Sequence, residues 1–330
     1  MSEIYNFGIQ VVMFVQSLGN WLLRPMQLFS LLGSEKLFLL VAPALYWCIS
    51  TEAGLRVGLF LMFSGGINDA LKVAFHAPRP YWYSKDVKAL AAEVQFGIPS
   101  GHAQHAVVVW STLADWLKRR WVWITAILLI FCISFSRLYL GVHFPTDVLA
   151  GWLVGVLLVW GLLRFERKLT TWFLSQPLSI QFLAALLVSL GLVGLGAAAR
   201  LSVGDWQMPF DWAENAARAG GGIPNPLDPT GIITNAGAFF GMIAGAIVLR
   251  RNGGFEARKG TAWQMATRYV LGLGGTLILW YGLGMVFPRE TDFFSYLLRY
   301  LRYTLVGMWF TGLAPLAFIR LGLAEHKHRL

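Results

Sequence analysis

The sequence predicts an all-α, polytopic membrane helix bundle, and three observations carry that expectation. Of 330 residues, 56% are apolar and only 13% charged, and the mean hydropathy is +0.57, a makeup outside that of soluble domains. Apolar stretches approaching the roughly 20 residues a helix needs to cross hydrocarbon recur along the whole chain. The basic residues behind the net charge of +10 sit in short connectors between those stretches. That is the positive-inside pattern of a membrane protein, and it calls for no nucleic-acid partner.

Taken in order, the first apolar helix covers 8–30, where Gln10, Gln16, Asn20, Arg24 and Gln27 interrupt it and Pro25 would kink it. It either spans or lies in the interface. No basic opening followed by a small-residue cleavage site precedes it, so the first helices are expected to be retained. Further helices are expected at 36–50, 54–75, 101–117, 121–141, 146–164, 178–200, 230–249, 264–287 and 293–322. Cys48 and Cys132 lie inside apolar runs as small buried thiols, with no redox or metal argument attached. If every segment spans, Lys118-Arg119-Arg120, the run 164–168, the stretch 250–259 and the tail His326-Lys327-His328-Arg329 share one side. That side is then cytoplasmic, and the connectors 76–100, 137–147 and 201–229 face outward or into a lumen. A bacterial inner membrane is the expected location. Residues 1–170 read as a catalytic core and 171–330 as an accessory helical region.

Three polar clusters break the apolar pattern, all on the non-cytoplasmic side of this topology. The first runs from Lys72 to Arg79-Pro80 at the end of the third apolar segment. A cation there is expensive enough to imply a function, and Asp69, with Asn68 beside it, could support it. The second is Pro99-Ser100-Gly101-His102, directly before an apolar helix. Ser100 can cap that helix, Gly101 permits close backbone approach, and the N–H groups at its start form an anion site beside His102. The third is Ser136-Arg137 with His143 and Asp147. A turn at 143–147 would let the carboxylate hold one imidazole nitrogen and leave the other free to attack.

Together these clusters, in order, internal spacing and intervening gaps, resemble the three-part signature of the type 2 phosphatidic acid phosphatase (PAP2) family, which includes glucose-6-phosphatase and the vanadium haloperoxidases. The resemblance covers residues 50–165. It implies a six-helix core, here with three to four accessory transmembrane helices. Tyr81-Trp82-Tyr83 is similar to the glucose-6-phosphatase branch. The family implies His143 as nucleophile on phosphorus, oriented by Asp147, with His102 protonating the leaving oxygen and then activating water. It also implies that Lys72, Arg79, Arg137 and the N–H groups around Ser100 and Gly101 hold the phosphate oxygens. No metal or other cofactor is implied, since phosphoryl transfer rests chiefly on positioning and charge neutralisation. The expected substrate is a phosphomonoester or diphosphate, most naturally of a lipid, with membrane lipids as surroundings. A phosphotransferase using the same phosphohistidine, a soluble sugar-phosphate phosphatase, and a non-catalytic binder or transporter are the rivals. His105 reads as lining the polar mouth, and Arg299 and Arg302 as interfacial anchors.

Overall fold

A computed structural model describes residues 2–327, so His328 and Arg329 of the basic tail lie outside the described residues. Among the described residues the chain is helical and contains no strand. The expected first helix is divided: α1 (Ser2–Ser17) stops before Gly19, and a 3-10 turn, Asn20–Leu22, leads into α2 (Leu23–Leu32). The break falls at Gly19, whose φ of 110° suits glycine alone. Pro25 instead sits in the first turn of α2, where its missing N–H has no helical partner to lose. Next come α3 (Glu35–Ala44), which passes into a wider π-type turn at Leu45–Ile49, and α4 (Thr51–Phe75). The short α5 (Pro80–Tyr83), α6 (Gly101–Leu117), α7 (Arg120–Tyr139) and α8 (Pro145–Ser175) complete the first half.

The second half holds α9 (Leu178–Val203), α10 (Phe210–Arg218), α11 (Thr230–Arg251) and α12 (Ala262–Leu277). A π-type stretch joins α12 to α13 (Leu283–Val286), and another joins α14 (Phe293–Met308) to α15 (Ala314–Arg320). Thr261 and Gln264 cap α12 reciprocally, the Thr261 Oγ1 accepting from the Gln264 N–H at 3.2 Å and the Gln264 Oε1 accepting from the Thr261 N–H at 2.8 Å. The helix α10 has no counterpart in the sequence expectation: it lies in the connector 201–229. Among the described residues six segments are long and apolar enough to cross a membrane, namely Thr51–Tyr83, Arg120–Tyr139, Pro145–Ser175, Leu178–Val203, Thr230–Arg251 and Ala262–Val286. The bent pair Asn20–Leu32 and Leu37–Ile49 would make a seventh.

Two compact units are interleaved along the chain. The first comprises Met1–Leu37, Ile67–Leu162 and Leu195–Pro229. Its core gathers Val12, Tyr81, Trp82, Phe96, Tyr139, Val142 and Phe144, so the connector carrying Phe96 is packed as firmly as the helices beside it. Here α8 meets α6 through small residues. A Cβ on Gly151 would stand 2.7 Å from the Ser100 carbonyl oxygen, and one on Gly155 would stand 2.8 Å from the Val107 Cβ. Such spacing of glycines lets helix backbones approach closely where lipid supplies no hydrophobic drive. The outer faces of α7 and α8 expose Trp121, Ile124, Phe131, Leu153 and Trp160, surface that suits hydrocarbon and not water.

The second unit comprises Phe38–Gly66, Leu163–Gly194 and Thr230–Leu330. Gly237, Gly241 and Gly245 line one face of α11 against the Tyr300, Thr304 and Met308 carbonyls. Thr304 Oγ1 donates to the Gly237 carbonyl at 3.2 Å, and Ser189 Oγ to the Ala236 carbonyl at 2.7 Å. The fully buried Arg268 donates to the carbonyls of Leu323 at 2.8 Å and Ala257 at 3.0 Å, which spends its charge on loop ends.

The close approach at Gly151 gives a direct test. Gly151→Val must push α8 away from the start of α6, with an expected cost of about 1–3 kcal/mol. Gly161→Val on the same helix, where nothing lies within 4 Å of the added Cβ, should be neutral. Thermal unfolding in detergent checks both; equal effects would remove the packing argument.

Candidate active site

Every site residue singled out in the sequence lies in the first unit. Lys72 occupies the last turn of α4 with 5% of its surface exposed, and its Nζ donates to the Phe96 carbonyl at 2.8 Å. Arg79 precedes α5 and is as deeply buried. Its Nε donates to the Gln95 carbonyl at 2.6 Å, Nη1 to the Val142 carbonyl at 2.9 Å and Nη2 to the Phe96 carbonyl at 3.1 Å. Lys72 and Arg79 therefore meet on one carbonyl oxygen. Buried cations need this satisfaction, because the desolvation cost is several kcal/mol per ion.

Ser100 caps α6, its Oγ accepting from the Ala103 N–H at 3.5 Å, and its own N–H donates to the Asp147 main-chain carbonyl at 2.9 Å. Since α6 starts at Gly101, the N–H groups of its first turn lack partners within the helix and carry its positive end. Asn68 braces this turn, donating to the Pro99 carbonyl at 3.3 Å and to the Gln104 Oε1 at 2.8 Å. It supports the helix start, not Lys72 as the sequence suggested. Asp69 accepts from the Gln95 side chain at 3.4 Å.

His143 lies in the turn before α8, where its Nδ1 is 3.2 Å from Asp147 Oδ2 and its Nε2 is 3.3 Å from Arg79 Nη1. The same Oδ2 accepts from the Phe144 N–H at 2.8 Å, which fixes the carboxylate. Gly97 is required behind it, because a Cβ there would stand 2.5 Å from the Pro78 carbonyl oxygen and 3.0 Å from Asp147 Oδ2. With Nδ1–H donated to Asp147, the Nε2 lone pair faces the guanidinium of Arg79. Burial, then the charges of Arg79, Lys72 and Arg137, hold His143 well below the usual histidine range, so its ring is neutral at physiological pH. His102, in the first turn of α6, lies within electrostatic reach of Arg137, Glu93, His105 and Lys72.

Arg137 ends α7. Its Nη1 donates to Ser30 Oγ of α2 at 2.5 Å, and its Nη2 donates to Glu93 Oε1. Arg79 Nη2 reaches the other oxygen of Glu93 at 3.7 Å. One carboxylate thus bridges two guanidinium groups. Burial works to raise the Glu93 carboxyl, and the charges of Arg79 and Arg137 overcome it, holding it at about 2. Sequence reasoning missed Glu93, Ser30 and Gly97, and it singled out Tyr81 only for its likeness to the glucose-6-phosphatase branch. An acid in an irregular connector carries no periodic signal, and no spacing rule pairs residue 93 with 137. His105 is buried with Nδ1 3.8 Å from Glu35 Oε1. Among the described residues no group of three or more His, Cys, Asp or Glu is arranged to hold a metal ion.

A helical, membrane-type chain in which a carboxylate-backed imidazole faces three buried cations and a helix start has the build of a phosphoryl-transfer enzyme. Comparison with known proteins identifies the family. The PAP2 superfamily pattern matches residues 53–171, and that of the PAP2 superfamily phosphatase transmembrane extension matches residues 233–326. Phosphatidylglycerophosphatase B of Bacillus subtilis is 30% identical over 142 residues, 40% of this chain and 68% of that protein. Undecaprenyl-diphosphatase of Sulfolobus acidocaldarius is 33% identical over 108 residues, 30% of this chain and 50% of that protein. Human glucose-6-phosphatase 3 is 26% identical over 246 residues, 65% of this chain and 68% of that protein. The chain thus spans about two thirds of two of these relatives and half of the third. It belongs to the PAP2 superfamily of phosphatases and is an integral membrane protein.

The neutral state of His143 can be read directly. In histidine-labelled protein in detergent, the NMR signals of His143 should not titrate between about pH 5.5 and 8. A midpoint near the usual 6.5 would contradict the electrostatics described above.

Proposed function

We propose that this chain hydrolyses a phosphomonoester or diphosphate of a lipid through a phosphohistidine intermediate, on the non-cytoplasmic face of the membrane. The observation that carries this reading is His143 held between Asp147 and Arg79, at 3.2 Å and 3.3 Å. The His143 Nε2 attacks phosphorus, the bond to the leaving oxygen breaks, and His102 supplies that oxygen with a proton. Water then attacks the phosphohistidine while His102 takes its proton, releasing inorganic phosphate and neutral His143. Lys72, Arg79, Arg137 and the N–H groups at the start of α6 beyond Ser100, whose own N–H is taken by Asp147, hold the nonbridging oxygens, supplying the positive charge that magnesium supplies in other phosphoryl-transfer sites.

The lipid reading is supported by the membrane setting and by the lipid phosphates and diphosphates named for the Bacillus and Sulfolobus relatives. A soluble sugar phosphate is the second reading, favoured by the likeness to glucose-6-phosphatase 3 over 246 residues. The outward placement of the site rests on the basic residues at 118–120, at 164–168 within α8, and at 250–259. The two separate family matches support a catalytic core in residues 1–170 and an accessory region in 171–330.

Phosphate release from a panel of lipid and soluble phosphates, in detergent with chelator, tests the proposal. His143→Ala should lose turnover to background, and His102→Ala should lose about 10²–10⁴-fold. Chelator should have no effect and vanadate should inhibit. Turnover retained in His143→Ala would remove the phosphohistidine.

A further inference from the structure

The bridge from Glu93 to Arg79 and Arg137 is not part of the mechanism above, yet it occupies two of the three cations assigned to the phosphate. Its carboxylate sets two oxygens against two guanidinium groups, as two phosphate oxygens would. The placement is built and not incidental. Tyr81, fully buried, donates its hydroxyl to the Glu93 carbonyl at 2.6 Å and accepts from the Glu93 N–H at 3.2 Å, so the residue is gripped from both sides of its backbone. The next three carbonyls are also held: Val94 accepts from the Asn225 N–H at 3.0 Å, Gln95 from Arg79 at 2.6 Å, and Phe96 from Lys72 at 2.8 Å. The Glu93 side chain itself is 28% exposed and is held by the ion pairs to Arg79 and Arg137.

A site with three buried cations at a membrane surface has an occupancy problem. Phosphodiester headgroups of the bulk bilayer surround it at high local concentration, and each carries one negative charge. Left uncompensated, the cradle would fill with them. A tethered carboxylate changes the comparison, since an intramolecular anion acts at high effective concentration. A singly charged diester would replace one charge with one charge and gain little. A terminal phosphate brings two charges and three free oxygens, and a diphosphate brings more, so either has a surplus with which to expel the carboxylate. The competitor thus sets a threshold of affinity that a ligand must exceed to occupy the cradle.

We propose that Glu93 is an internal anion that occupies the cradle and lowers the apparent affinity of every phosphate by the same factor, so that weakly held phosphodiester headgroups leave the site empty while a terminal phosphate or diphosphate still displaces the carboxylate. The inference rests on the phosphatase reading above. Removing the competitor raises the fraction of molecules with an open cradle, and apparent affinity rises by the same factor.

The test uses the full chain in mixed detergent micelles. Equilibrium binding of labelled inorganic phosphate is measured with phosphatidylglycerol, a phosphodiester, as competitor, and lipid-phosphate hydrolysis is measured in parallel. With phosphate held below its Kd, Glu93→Gln should bind phosphate about tenfold more tightly and lose it to an about tenfold lower mole fraction of phosphatidylglycerol. Its KM for a terminal-phosphate substrate should fall further than its kcat. Glu93→Asp keeps the charge and should keep the exclusion. Tyr81→Phe loosens the grip without touching the charge, should shift both quantities in the direction of Glu93→Gln, and carries the test if that variant does not fold. Unchanged phosphate affinity and unchanged phosphatidylglycerol resistance in Glu93→Gln, or in Tyr81→Phe where Glu93→Gln does not fold, would overturn the inference while leaving a hydrolysing wild type as a phosphatase. Wild type that neither binds phosphate nor hydrolyses any member of the panel would overturn the phosphatase reading and this inference together.

Discussion

The Phe96 carbonyl accepts from both Lys72 and Arg79, and the site is organised around that shared oxygen. Two cations can be brought together out of water only if their donors are satisfied, and a single acceptor serving both forces them to the same point. It also ties the end of α4, the approach to α5 and the connector before α6 into one piece. Arg79 extends the tie to Val142 and so to the turn carrying His143. Burying such charges costs several kcal/mol each, and breaking one member of a buried set typically costs 3–5 kcal/mol. The aromatic packing of Phe96 against Trp82, with ring centroids 6.5 Å apart, and Trp206, at 5.2 Å, keeps the carbonyl in place and water away from it.

Much of this was legible in the sequence because the surroundings are apolar. Lys72, Arg79, His102, Arg137, His143 and Asp147 are conspicuous where hydrocarbon is the background, and the helices around them start within a few residues of the apolar runs, whereas α8 continues to Ser175 through the basic stretch 164–168 that composition reads as a connector. Legibility failed where position depends on irregular backbone. Glu93 and Gly97 matter because the connector 84–100 doubles back into the core, and no periodicity describes such a path. Ser30 looks like an ordinary polar interruption of α2 until Arg137 is placed 2.5 Å away. The break of the first helix at Gly19 instead of Pro25 has the same origin: proline is tolerated in a first turn, whereas a φ of 110° leaves glycine little competition. The α10 helix was hidden by the turn-rich composition of its connector.

The second unit uses other means. Its helices approach through Gly237, Gly241 and Gly245, close enough that a methyl on Gly241 would stand 2.0 Å from the Thr304 carbonyl oxygen. Hydroxyl groups of Thr304, Thr311 and Ser189 then donate to buried carbonyls of α11. Where lipid and side chain are equally oily, close backbone packing and hydrogen bonds must supply the cohesion. Its buried Arg268 is fully occupied by carbonyls, in contrast to the site cations, which face an imidazole and a displaceable carboxylate.

Asp147 makes two attachments at once: its side chain steadies His143, and its main-chain oxygen receives the Ser100 N–H. The spacing between the turn carrying His143 and the start of the helix carrying His102 is therefore set through a main-chain hydrogen bond from Ser100 to Asp147. Residues lining the approach to the site can be exchanged for larger, smaller or differently charged ones without detuning that spacing. A single reaction can then be offered to substrates of very different bulk.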